Sequence, residues 1–264
     1  MVFFPQVSLL ITHYNRSQSL QNLLQKFRQL NCKFGQIVVS DDGSKAEHAQ
    51  NLVELQQEYG FLLVSAPTNR GLGNNLNKGQ DAVNKPFTLY IQEDFEPGDL
   101  FPTAFAEALV IMENRTELDI VKFYAYYPYA YLKSYNENFD EMYVPALAAD
   151  YRKIYFYTDH PHLRRSAFFT KFGRYPEGIK GDATEYSMCI SFLQHKGKGL
   201  FYKDFSNLLS QKNSADEPST MQRENWKQKD GIVINMIRYV YRQFKYNFDI
   251  ATQKPLKRMP QTPD

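Results

Sequence analysis

Short apolar runs that recur through the first hundred residues, each separated by a helical pattern, constrain this chain more than any other feature. They are "VSLLIT" (7–12), "QIVVS" (36–40), "FLLVS" (61–65) and "FTLYIQ" (87–92). "VSLLIT" shows no alternation of apolar and polar residues, as expected of a strand covered on both faces. Ser17 caps the first intervening helix, and Leu20, Leu23, Leu24, Phe27 and Leu30 form its apolar stripe. Residues 46–59 read as a polar helix, and a third helix starts near Gly73 and runs to about Asn84. The order β-α-β-α-β-α-β predicts an α/β fold with a mostly parallel, Rossmann-like central sheet, flanking helices and right-handed crossovers. Ligands of such sheets bind beyond the carboxyl ends of the strands.

The later part of the chain is read more coarsely. A helix is expected over 99–114, a tyrosine-rich strand-like region over 119–158, a helix over 182–197 ended by Gly197, and a strand at "GLFY" (199–202). Residues 213–225 are polar and loop-like. Ile232, Val233, Met236, Ile237, Val240 and Phe244 then mark an amphipathic C-terminal helix, with Arg238, Tyr239, Arg242 and Lys245 on its other face. The tail from Thr252 is read as loose.

Charge and cysteines narrow the classes. The 264 residues carry a net charge of only +2, which excludes a nucleic-acid footprint over the whole chain. The charge is uneven, however. Residues 196–258 hold 13 Lys and Arg against 6 Asp and Glu, which suits peripheral contact with an anionic membrane through the basic C-terminal helix. Cys32 and Cys189 lack metal-type spacing and are expected as reduced thiols in a cytoplasmic protein. The apolar start is broken by Pro5 and His13 and is too short to span a bilayer. Neither a signal peptide nor a transmembrane helix is expected.

Chemistry concentrates where the runs end. "VVSDDGS" sets Asp41 and Asp42 at the rim of the sheet, where carboxylates can accept from a base N–H or from ribose hydroxyls. "TNRGLGNNLNKG" (68–79) opens a helix whose free N–H groups favour phosphate, with Gly71 and Gly73 allowing close approach and Arg70 adding charge. It is neither a Walker loop nor GxGxxG. "LYIQEDFEPGDLF" (89–101) ends a strand in Glu93, Asp94 and Glu96, the oxygen donors that Mg²⁺ or Mn²⁺ take. Each stretch also serves as an ordinary turn or cap, and their combination is what carries weight. His160 and His162 read as an isolated surface pair. Arg164 and Arg165 can clamp phosphate or hold carboxylates, and the only tryptophan, Trp226, can stack on a sugar or anchor the last helix.

These elements, in this order, resemble family 2 glycosyltransferases of the GT-A fold over roughly 5–205, most strongly over 7–100. "LITHYNRSQSLQNLL" is similar to the family's opening strand and helix, "IVVSDDGSK" to its nucleotide-contacting acidic turn, and "NRGLGNNLNKG" to its N-x-G segment. The resemblance implies an inverting transferase that moves a sugar from a nucleotide-diphosphate donor, UDP first, to a glycan or lipid-linked acceptor. It implies a nucleotide-binding half at 1–100, an acceptor half at 101–205, and a C-terminal extension at 206–264.

The implied donor residues are Thr12, Tyr14 and Asn15, Asp41 or Asp42, Asn69, Gly71 and Asn75, with Gln92 and Glu93 flanking the metal residue Asp94. Two departures stand out. The D-x-D signature falls on Gln92-Glu93-Asp94, so its first acid is an amide, and the acceptor-side acidic pair falls on Asp182-Ala183. For the catalytic base Asp182 comes first and Glu185, one turn on, second. These departures keep open a catalytically inactive nucleotide-sugar-binding or scaffold protein. "LLITHYNRS" lacks the glycines of a sugar nucleotidyltransferase loop. "MQRENW" does not match the Q-x-x-R-W of processive enzymes.

Overall fold

The computed structural model describes residues 1–212, 217 and 232–258. The first half follows the alternation: β1 (Val2–His13), α1 (Ser17–Gln29), β2 (Cys32–Asp41), α2 (Ala46–Tyr59), β3 (Leu62–Ser65), α3 (Leu72–Asp81) and β4 (Phe87–Gln92). The second half adds β5 (Phe95–Pro97), α4 (Phe101–Asn114), β6 (Ile120–Lys122), β7 (Leu132–Ser134), β8 (Phe139–Met142) and a 3-10 helix (Tyr151–Phe156). Then come β9 (His162–Arg165), α5 (Phe168–Phe172), α6 (Gly181–Gln194), β10 (Gly199–Tyr202), α7 (Phe205–Leu208), β11 (Leu209–Gln211) and α8 (Ile232–Thr252).

Nine strands form one sheet in the order β3-β2-β1-β4-β9-β6-β10-β8-β7. β1 pairs parallel with β2 and β4, and β2 pairs parallel with β3. The sheet is mixed beyond that point, because β9 runs antiparallel to both β4 and β6. The core lies on both faces of β1 and β4. Leu9, Ile11, Leu89 and Ile91 pack with α1 and α4, while Leu10 and Tyr90 face the opposite layer with Leu76 and Met188. Leu20, Leu23, Leu24 and Phe27 of the predicted stripe are buried, as their spacing requires.

Three expectations need correction. Residues 119–158 are not a run of strands. They contain three short ones and a 3-10 helix, with the tyrosines spread over loops and the edge of the sheet. His160 and His162 are not a surface pair. His162 is fully buried in β9 against Tyr90 and Tyr157, its Nδ1 donates to the His160 carbonyl at 2.7 Å, and burial pushes both imidazoles far below their ordinary range. The close approach at Gly73 is to protein rather than to open space, since a Cβ there would meet the Pro176 carbonyl oxygen at 2.1 Å.

The chain after 205 first returns to the turn after β4, where β11 pairs antiparallel with β5. α8 then docks on α6 and the 3-10 helix. Tyr186 donates to Asp249 (2.6 Å), Gln243 accepts from the Tyr151 N–H (3.0 Å), and Asn247 donates to the Ala149 carbonyl (2.7 Å). The polar and tyrosine face of α8 therefore points inward and its apolar stripe outward, the reverse of the usual arrangement for an amphipathic helix. Trp226 and the remainder of the 213–225 stretch, apart from Glu217, lie outside the described residues.

Candidate functional site

The parallel register brings the carboxyl ends of β1, β2 and β4 to one rim: His13 pairs with Asp41, and Thr12 with both Ser40 and Gln92. Here most side chains hold one another. His13 Nε2 accepts from the Arg16 N–H, which leaves Nδ1 to donate to Asp41 Oδ1 at 2.9 Å. Burial alone would raise the Asp41 carboxyl, but bonds from His13 and Ser44 outweigh it and hold it below the ordinary range.

Asp42 accepts from two backbone N–H groups, Arg70 and Gly71, each at 2.9 Å, and so clamps the turn before α3. Burial still raises its carboxyl. Gly71 is required there, because its φ is +85° and its own Cβ position is open except for Ile179 O at 3.9 Å. Asn15, also left-handed at φ +54°, donates from its N–H to Ser44 and accepts from the Lys45 N–H. Thr12 bonds the Tyr90 hydroxyl, Asn75 ties Ser40 to the His13 carbonyl, and exposed Asn69 accepts from the Gly71 N–H. Tyr14 is half-buried at the same rim. Lys78, unmarked in the sequence reading, reaches back from α3 to Ser40 and to the Asp41 and Val64 carbonyls. Burial lowers its ammonium to about 8.

The acidic turn after β4 is buried. Burial pushes Glu93 up to about 8, the neighbouring Asp94 adds to this, and Arg16 opposes it. Asp94 Oδ2 is taken by Arg16 (3.0 Å) and by Gln211 Nε2 (2.9 Å). Among the described residues its Oδ1 is buried without a hydrogen-bond partner. Among the described residues no group of three or more His, Cys, Asp or Glu is arranged to hold a metal. One unpaired carboxylate oxygen suits a hard cation whose other positions are filled by phosphate oxygens and water. Arg16 also donates to the Lys212 and Glu217 carbonyls, and the Glu217 carboxylate accepts from the Gln18 and Ser19 N–H groups at the start of α1. Lys212 and Glu217 are thereby fastened to the rim and to the start of α1.

A second region opens beside β6 and α6. A cavity of about 960 Å³ is lined by tyrosines 126, 127, 129, 151, 155, 186 and 246, together with Lys122, Asp182, Glu185 and Arg242. Asp182 is exposed in the first turn of α6, whose N-cap is Lys180. Glu185, one turn on, is half-buried and accepts from the Asp159 N–H at 2.9 Å. Burial and the Asp159 carboxylate push Glu185 upward toward neutrality, with Lys122 pulling it back. Lys122 is itself buried, and desolvation lowers it to about 8. Arg164 and Arg165 are structural: Arg164 is buried on Gln80 and Phe168, and Arg165 donates to carbonyls at the end of α4.

A bridge joins the two regions. The Tyr126 hydroxyl donates to Gln211 Oε1 (3.0 Å), and Gln211 in turn donates to Asp94. Arg16, Lys78, Lys122, Asp159 and Gln211 were missed in the sequence because each works through a partner far away in the chain. Only the apolar neighbours of Lys122 in "LDIVKFY" hinted at a buried cation.

Comparisons with known proteins bear on the family and the fold. The family model described as glycosyl transferase family 2 matches residues 8–173. The solved structure of residues 1–349 of S. aureus TarS in complex with UDP-GlcNAc superposes with a TM-score of 0.58 over 94% of this chain and 76% of that one, at 15% identity. A structure of S. aureus TarS gives a TM-score of 0.54 over 75% of this chain and 34% of that one, at 17% identity. A poly-beta-1,6-N-acetyl-D-glucosamine synthase of Staphylococcus epidermidis is 27% identical over 88 residues, 33% of this chain and 21% of that protein. The match thus spans about a fifth of that relative's length.

Proposed function

The chain belongs to glycosyl transferase family 2, and on that premise we propose that it transfers a sugar from a UDP-linked donor to a hydroxyl of a glycan or lipid-linked acceptor, with inversion at the sugar carbon. One observation carries this reading. The Tyr126–Gln211–Asp94 bridge joins an acidic rim to a tyrosine-lined cavity that holds a desolvated carboxylate, Glu185, beside Asp159 and Lys122. UDP-N-acetylglucosamine is the first donor to test, because that compound is named with the similar TarS structure and N-acetylglucosamine with the curated relative.

In this reading the donor's base and ribose lie against Thr12, Tyr14, Asn15 and the Asp41–Asp42 turn, with Asn69, Gly71 and Asn75 framing the pocket and Gln92 and Glu93 beside the diphosphate. Asp94, through its unpaired Oδ1, is the residue that would hold Mg²⁺ or Mn²⁺. Bound there, the cation supplies neutralisation of the leaving diphosphate. Tyrosine faces offer flat, amphipathic walls for sugar rings or polyols. Glu185 accepts the proton of the attacking hydroxyl: its raised affinity for a proton brings it close to the working pH, where a general base is most effective. Asp182, exposed at the cavity mouth, orients the acceptor.

The test is release of UDP from UDP-N-acetylglucosamine with Mn²⁺ present, for wild type, Glu185→Gln and Asp182→Asn. Glu185→Gln is expected to lower turnover by about 10²-fold or more. If neither substitution costs tenfold, the acceptor-side assignment is wrong. A second reading, donor binding without transfer, is favoured by Gln92 and Ala183 in place of the expected acids and by the internal bonding of Asp41 and Asp42. Thermal stabilisation by the donor with no UDP release under any condition would select it.

A further inference from the structure

The outer face of α8 is an exposed apolar stripe. Met236 is 68% exposed, Ile237 63%, Val240 44%, Phe244 77% and Phe248 67%. Positions 237, 240, 244 and 248 follow one another at helical spacing, so the stripe is continuous along the helix. Tyr246, midway between the two phenylalanines in sequence, lies on the opposite side, with its ring 5.6 Å from Tyr151 and 5.0 Å from Tyr186. Arg242 joins it there, over the Tyr151 ring. One side of α8 therefore lines the cavity, and the other presents large apolar groups to nothing within the described residues.

Charge indicates what covers that stripe. Residues 232–258 carry Arg238, Arg242, Lys245, Lys254, Lys257 and Arg258 against a single acid, Asp249. A second copy of the same face would set this excess against itself. The preceding segment, 218–231, has only Met221 and Trp226 as large apolar residues, too little to cover five. No described helix is long and apolar enough to cross a membrane. Arg242 and Lys245 turn to the inner side, while exposed Lys254, Lys257 and Arg258 follow the end of the helix, and a continuous apolar stripe with a basic end has the properties of a helix that lies in a lipid interface.

We infer that the outer stripe of α8 seats this protein on an anionic lipid surface, with the cavity on the inner side of the same helix. Where the transferase reading holds, that seat brings lipid-linked acceptors to the cavity edge. The lipid contact itself does not depend on that reading.

The test is co-sedimentation of the full chain at low salt with vesicles of phosphatidylcholine alone and of phosphatidylcholine with phosphatidylglycerol. The wild type is expected to pellet with the anionic vesicles and not with the neutral ones. The pair Phe244→Ser and Phe248→Ser is expected to lose about tenfold or more in partitioning. UDP release without vesicles should be unchanged in that pair, which separates failure of the seat from failure of the transferase reading. The pair Met236→Ser and Val240→Ser addresses the same face, so that a folding defect in one pair does not decide the result. Wild type remaining in the supernatant with both vesicle types, or all variants pelleting equally, overturns the inference. A wild-type dimer that light scattering finds reduced to a monomer by these substitutions also overturns it, assigning the stripe to a second copy.

Discussion

The acidic rim and the tyrosine-lined cavity are built differently. At the rim, Asp41, Asp42, Asn75 and Lys78 spend their polar atoms on one another and on backbone, across strands whose parallel register already aligns them. The result is a largely satisfied frame in which, among the described residues, the buried Oδ1 of Asp94, like that of Asn74, is a loose end. The cavity is assembled from β6, the tyrosine loops, α6 and α8, far apart in the chain. Its ionisable groups are desolvated and set against each other: Glu185 and Asp159 are raised, and Lys122 is lowered. Burial displaces Glu93 and Lys78 at the rim as well, so the difference lies in access: the rim groups are engaged with one another and with backbone, while Glu185 faces a cavity, where a displaced proton affinity is suited to moving a proton.

The comparison can be broken most sharply at the loose end. Asp94→Ala is expected to cut transfer by about 10²–10³-fold or more, with circular dichroism unchanged, because it removes charge stabilisation at the leaving group. Full activity in that variant would end the distinction drawn for Asp94.

The next effect lies on the cavity side. A base must be deprotonated to act, so the rate should rise with pH through the raised Glu185 titration, with its acid limb shifted from the ordinary carboxylate range toward neutrality. Asp159→Asn removes the repelling carboxylate and should move that limb to lower pH. The matching stability sign is that a carboxyl raised on folding favours the native state at low pH and loses that contribution as pH rises through the folded value. Glu185→Gln should therefore gain in melting temperature relative to wild type between about pH 5 and pH 8. An unshifted limb in both proteins would place the base elsewhere.

The smallest effect belongs to the frame. Asp42→Asn leaves one of the Arg70 and Gly71 N–H groups without its carboxylate acceptor, at a cost of about 1–3 kcal/mol. Denaturant unfolding should report that loss, and the pH limb should stay where it is. A moved limb would mean that rim and cavity are not independent.

Much of the rim was legible in the sequence because its logic is local. A buried strand that ends in acids must present them at the carboxyl edge, and β1, β2 and β4 end within a residue or two of where the apolar runs stop. Asp94 could be singled out on the same basis. The neighbours that decide its state could not: Arg16 arrives from the start of α1 and Gln211 from β11. His160 and His162 show the reverse failure. "TDHPHLRR" looks polar and exposed, yet β9 inserts between β4 and β6 and buries the His162 ring, while His160 packs on Tyr124 and Tyr126 at the cavity wall. Between Asp182 and Glu185, helical spacing sets both near one opening, and only the depth of each within the cavity separates them.

By itself, the sequence determined the alternating α/β layering, the acidic rim and the amphipathic character of α8, since strand burial and helical periodicity are properties of adjacent residues. Only the tertiary structure decided which side of α8 faces the body, which carboxylates are already occupied, and where a desolvated acid meets a cavity. Those outcomes depend on contacts between segments up to about 200 residues apart, such as Arg16 with Glu217, and periodicity along the chain carries no information about pairing across such distances.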